Sequence, residues 1–245
     1  MSTNGTVLSV LQAAAAEMAL PEFGSAAGNI QQIPQQLLAL YNLTGTMLVR
    51  RRVWRLLWRT FTFDAIAGQA AYPLPPDFQR PISQTEWDQT NRWPLVGPET
   101  PQQWQWLKSG ILSTGPRERF RLIDNTMELW PVPGSDTVPL PVKISYMYIS
   151  KWWVESADGQ PKLKADRDDD TCVFPDVLMA TGVKLRYYQA KGFDTTAFAA
   201  DFQNNLDDAL SQDGGAPILS LARSVNYPLI SVWNLQDGNF PGPTS

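Results

Sequence analysis

The chain contains no histidine. That absence removes the imidazole metal ligand, the histidine general base and the Ser-His-Asp and Cys-His nucleophile pairs. A single cysteine, Cys172, can close neither an internal disulfide framework nor a zinc site. Charged residues are scarce, 18% of the chain, and sum to -4, which gives no support to a general nucleic-acid binder; a local patch or ring lining can still differ from the total. No run is long and apolar enough for a transmembrane span. The apolar start around Ala13 to Ala16 lacks the basic n-region and long h-region of a signal peptide. Gly110, Gly115 and Gly159 fit no phosphate-loop or dinucleotide fingerprint. Lysine or carboxylate chemistry stays open in principle, but nothing here points to an enzyme or a cofactor.

What is present is apolar. Hydrophobic residues make up 43% of 245 residues, enough for one large core or two modest ones. The pattern predicts a first helix over 6–20, stopped by Pro21, and a second over 33–43. Asn42, Thr44, Gly45 and Thr46 weaken the helix locally, and the apolar sides before and after them are out of phase. A separate helix over 47–59 is therefore expected. From Phe61 the period changes towards strands and turns. Pro75, Pro76 and Pro81 block helix, a short helix fits 102–107, and the alternation over 117–130 around Asp124-Asn125 predicts a hairpin. A further strand is expected over 141–150. Helix returns at Phe174-Pro175-Asp176, breaks at Lys191-Gly192, and resumes under a cap from Asp194 or Thr195. The expected fold class is α+β: an antiparallel helical bundle (1–60 and 173–212), an inserted β-rich domain (61–172) and an extended C-terminal arm (213–245).

That arm is rich in Gly and Pro, yet it carries large apolar residues: Leu221, Val225, Tyr227, Leu229, Ile230, Trp233, Leu235 and Phe240. Disordered tails are normally poor in such residues, so this one reads as a segment buried against another molecule. Arg50 to Arg52, Arg55 and Arg59 form the sharpest charge cluster. On one helix, Arg51, Arg52, Arg55 and Arg59 would share a side, opposite Trp54 and Trp58. A solvated basic side, a surface for an acidic partner or for passing DNA, and a membrane-surface helix are the readings. Asp166, Asp168, Asp169 and Asp170 fail the EF-hand spacing and read as a solvated loop, with an acidic interface or weak cation site as alternatives. Ten tryptophans are many for this length. Trp152 and Trp153 cannot both face inward on a continuing strand, which makes one an interface candidate. A glycan-binding module is a third functional reading, without the paired acids that hydrolysis needs.

The order of several segments resembles a known family. Arg50-Arg51-Arg52-Val53-Trp54-Arg55 closes the early helices, followed by Tyr72-Pro73-Leu74-Pro75-Pro76-Asp77-Phe78. Next come Arg119-Phe120-Arg121, Met127-Glu128-Leu129-Trp130-Pro131-Val132-Pro133 and Tyr148-Ile149-Ser150-Lys151-Trp152-Trp153-Val154. Asp168-Asp169-Asp170 and Phe174-Pro175-Asp176 complete the set. The arrangement, over about 5–210, is similar to the head-to-tail adaptors of short-tailed bacteriophages, the tail tubular protein A or tail accessory factor group. That resemblance implies a structural, non-catalytic virion protein at the portal vertex, assembled in the host cytoplasm. It implies a ring, twelve copies by portal symmetry, contacting portal through the C-terminal arm and carrying the tail nozzle or tube. Double-stranded DNA would pass through without sequence-specific contacts. On this view Arg51, Arg52, Arg55 and Arg59 are lumen or subunit-interface residues, and Trp152 and Trp153 tail-side or subunit-interface residues. A tail tube or neck protein that does not touch portal is the runner-up.

Overall fold

The computed structural model describes residues 4–109, 118–135, 138 and 140–214. Helix α1 (Val7–Glu17) starts where Thr6 accepts the N–H of Ser9. Helix α2 runs unbroken from Gln32 to Arg51. The expected break at 42–46 does not occur, because Asn42 and Gly45 meet distant partners and the threonine hydroxyls bond within the helix. Asn42 pairs with both backbone groups of Ala165, donating at 2.9 Å and accepting at 2.8 Å. Thr44 and Thr46 donate their hydroxyls to carbonyls one turn back. Gly45 lies against the Trp153 ring, and a Cβ there would come within 2.2 Å of it.

The separate helix over 47–59 is likewise absent. α2 ends at Arg51 and Arg52 is extended. The indole N–H of Trp54 donates at 2.9 Å to the Leu48 carbonyl, one of the orphan acceptors of the helix end. A 3-10 turn (Arg55–Leu57) follows, its Arg55 and Leu56 N–H groups held by the Asp213 carboxylate at 2.7 and 3.1 Å. The chain then enters strand β1 (Trp58–Asp64). Pairing with a distant strand overrides the helical pattern.

Strands β2 (Ala71–Pro73), β3 (Phe78–Pro81), β4 (Trp87–Asp88) and β5 (Trp93–Pro94) are short. Helix α3 (Pro101–Lys108) opens on a capping box between Thr100 and Gln103. The expected hairpin is β6 (Arg119–Ile123) and β7 (Thr126–Trp130). Asp124 and Asn125 both take positive φ, 48° and 59°, as a two-residue hairpin turn requires. Strand β8 (Lys143–Ser150) is the spine of the main sheet, with β1 along one edge and β3 and β4 along the other. β2, β7 and β6 form a second antiparallel sheet. Between the sheets, Phe120, Met127, Leu129, Ile144, Tyr146 and Tyr148 make one core, with Phe61, Phe63 and Phe78 packed on it.

The small strands β9 (Val154–Glu155), β10 (Pro161–Lys162) and β11 (Thr171–Cys172) form a third sheet. Helices α4 (Asp176–Lys191) and α5 (Thr196–Gly214) follow. Pro175 is the N-cap of α4, and Gly192 ends it at φ 77°. Asp194 accepts the N–H of Thr196 at 3.0 Å. α4 packs against α1, α2 and α5. Their shared core takes Leu11, Leu37, Tyr41, Leu48, Trp54, Met179, Val183 and Leu206, and also Trp153, Val154, Ala165 and Cys172. Trp153, Val154, Ala165 and Cys172 therefore pack with the helices although they follow the β-rich stretch. The result is a mixed α+β fold: a helical bundle with a β-rich insertion.

Candidate interaction surfaces

The acidic segment is not a loosely solvated loop. Asp170 is fully buried. Its carboxylate accepts the N–H groups of Asp166 and Arg167, each at 3.0 Å, and meets Lys162 at 2.8 Å. Lys162 also pairs with Asp166, which holds the Asp166 carboxyl below its usual range. Burial would raise the Asp168 carboxyl, but hydrogen bonds from Ser25, Ala27 and Ala26 outweigh it and hold it low. The backbone carbonyls of Asp170 and Asp168 receive the Val7 and Leu8 N–H groups, the unpaired donors at the start of α1. The segment is thus a staple joining α1, the 25–27 loop and β10. Among the described residues no cluster of metal-ligating side chains exists.

The arginines do not share one helical face. Arg51 ends α2 and donates to Gln203 of α5 at 2.9 Å. Arg52 is extended, and its carbonyl is held by Arg80 at 2.8 Å. Arg55 lies in the 3-10 turn over the Trp58 ring. Arg59 is on β1 and donates to the carbonyls of Leu56 and Trp58. All four are exposed, as is Arg50, and none makes an ion pair within the described residues. They are spread over α2, the extended link, the 3-10 turn and β1, and Leu43, Val53 and Leu56 in the same stretch are exposed as well. Not singled out from the sequence is Arg186 of α4, half-buried, which lines one hollow with Arg50 and Arg51. Its guanidinium donates to the Met47 sulfur at 3.1 Å. The signal lay in spacing too long for one helix, because α4 crosses α2.

Trp153 is an interior residue. It is fully buried, stacked on Phe174 and tilted against Tyr41, so it offers no surface. Trp152, next to it, is half-buried, in line with the alternation of neighbours. Burial pushes the Cys172 thiol to about 11, so it is inert under ordinary conditions. In the β-rich lobe Glu118 is buried, and neither carboxylate oxygen is bonded among the described residues. Burial first, and then the nearby Asp88, push its carboxyl up to about 7.

The anchors Leu221, Val225, Tyr227, Leu229, Ile230, Trp233, Leu235 and Phe240 lie outside the described residues. Asp213 and Gly214, placed by the sequence reading in the arm, close α5 instead. No helix among the described residues is long and apolar enough to cross a membrane.

A search of curated proteins returned no match. The family model for the SU10 adaptor protein covers residues 6–224. It takes in both lobes and, of the eight arm anchors, Leu221 alone. With a helical bundle, a β-rich insertion and a match over most of its length, the chain belongs to the SU10 adaptor family, structural and non-catalytic head-to-tail adaptors of short-tailed phages.

Proposed function

We propose that this head-to-tail adaptor assembles as a ring of twelve copies under the portal, prolonging the DNA channel and carrying the tail nozzle or tube. Segment 215–245 is the portal-binding arm, and Trp152 lies at a tail-side or subunit contact. Subunits are made in the host cytoplasm and join the virion at the portal vertex. The observation that carries this reading is family membership over 6–224, joined to a C-terminal segment whose apolar residues exceed what a solvated tail holds. Burying eight large apolar side chains yields on the order of 10 kcal/mol before the cost of ordering the segment. Repeated around a ring, that gain multiplies through avidity. The net acidic charge suits a channel through which DNA slides.

Truncation after Gly214 tests the arm. The cut must spare Asp213, which holds the 3-10 turn after α2. The shortened chain is expected to keep its helical circular dichroism and to lose co-sedimentation with portal rings. A shortened chain that still binds portal would overturn the assignment of the arm, and a full chain that never binds portal would favour a tube or neck position.

A further inference from the structure

We propose that the groove holding Arg50, Arg51 and Arg186 receives the acidic edge of α5, carrying Asp201 and Asp208, from a second copy of this chain. The inference rests on the oligomeric reading above and assigns one side-to-side contact of that oligomer.

Two adjoining hollows of about 330 and 390 Å³ share Met47, Arg51 and Arg186. Leu43, Thr46 and Arg50 line one, and Leu185, Phe202 and Gln203 help line the other. Among the described residues no carboxylate lines either. A half-buried guanidinium without a counter-charge is a costly arrangement, and a carboxylate arriving from outside relieves it.

The chain carries its own complement. No Asp or Glu occurs between Glu22 and Asp64, a stretch holding Arg50, Arg51, Arg52, Arg55 and Arg59. No Lys or Arg occurs between Lys191 and Arg223, a stretch holding Asp194, Asp201, Asp207, Asp208 and Asp213. Among the described residues the two runs form no ion pair with each other inside the protomer. Geometry explains this. Gln203 turns one edge of α5 towards Arg51, while Asp201 and Asp208 lie about 140–160° further round that helix. Both are exposed. Asp207, nearer the Gln203 edge, is taken by Gln203 at 2.9 Å, and Asp213 by the 3-10 turn. Asp201 lies near Lys184, but that lysine is already paired with Glu17 at 2.8 Å. An acidic edge and a basic groove on different sides of one subunit are the two halves of a heterologous contact. Duplex DNA is the competing occupant. Phosphate contact needs no apolar lining, whereas this groove sets Leu43, Met47, Leu185 and Phe202 among its cations, as a protein contact does.

The test is charge reversal in the full chain, followed by sedimentation alone and with portal rings of the same phage, at low and high salt. R50E/R51E and D201R/D208R are each expected to weaken assembly about tenfold or more. An equimolar mixture of the two restores it, because each reversed surface then meets an opposite one. The neutral pairs R50Q/R51Q and D201N/D208N, which spare the fold most, are expected to lose assembly by a smaller factor and to lose its salt dependence. If both reversed variants assemble like the natural chain, this contact is wrong while the adaptor reading stands. If the natural chain assembles in neither setting, both fall. If R50E/R51E assembles normally but loses binding to a short DNA duplex, the groove is a DNA surface and the proposal is overturned.

Discussion

Gly45→Ala separates two opposed views of α2. Intrinsic propensity favours the change, since alanine in a helix interior is about 1 kcal/mol better than glycine. The packing opposes it. A methyl at this position would lie 2.2 to 2.4 Å from three atoms of the Trp153 indole. Trp153 has little room to yield: it is fully buried, with Phe174 and Tyr41 rings at 6.1 and 5.8 Å. Overpacking of this kind costs about 1–3 kcal/mol, and a contact this short belongs at the upper end. Subtracting the propensity gain leaves a net loss of about 2 kcal/mol. Urea unfolding followed by circular dichroism at the helical band reads it directly, because Gly45 belongs to the helical lobe. The double variant G45A/W153F supplies the control. A smaller ring makes room for the methyl, so the G45A change is expected to cost at least about 1 kcal/mol less on the W153F background. A single variant as stable as the natural chain, or more so, would refute the reasoning and return Gly45 to the role of an incidental weak spot.

Two further substitutions test the buried charges. Glu118 has a folded-state pKa of about 7 against an ordinary 4.5, so the fold favours its neutral form. Its penalty is absent below pH 4.5, grows as pH rises through the interval, and reaches up to about 3 kcal/mol above pH 7. Glu118→Gln is expected to flatten that part of the stability-pH profile and to stabilise the protein at pH 8; an unchanged slope in thermal melts would count against it. Asp170→Ala removes the partner of Lys162 and the acceptor of two backbone N–H groups, at a cost of about 2–3 kcal/mol. Hydrogen exchange is expected to quicken first at the Val7 and Leu8 amides, which the same segment holds. Protection there equal to the natural chain would show that the staple is dispensable.

The sequence made the element types legible wherever local and tertiary preferences agree. The Asp124-Asn125 hairpin, β8, α3 and the α4–α5 pair follow from turn chemistry, alternation and caps that need no distant partner. It misled where a distant partner decides. Gly45 and the neighbouring threonines read as a helix break, because nothing local shows that Trp153, more than a hundred residues away, requires the gap. The arginine face failed for the same reason: β1 pairs with β8, Trp54 turns back onto Leu48 and Asp213 reaches in from α5. The Asp168–Asp170 run read as solvated because four of its partners, the amides of Ala26, Ala27, Asp166 and Arg167, carry no side-chain signature, and nothing local ties the distant Ser25 to Asp168 or buries Asp170 beside Lys162. Trp152 and Trp153 illustrate a partial reading. Alternation fixed that they differ, and only the packing of α2 decided that Trp153 is the inner one.

The proposed role is that of a structural adaptor docked as a ring between portal and tail. Electron microscopy of the full chain mixed with portal rings tests it most directly. The expected image is a ring of this chain on the tail side of the portal, coaxial with its channel and with segment 215–245 seated on portal subunits. Monomers with no density on the portal, or a ring held without any contact from that segment, would contradict it.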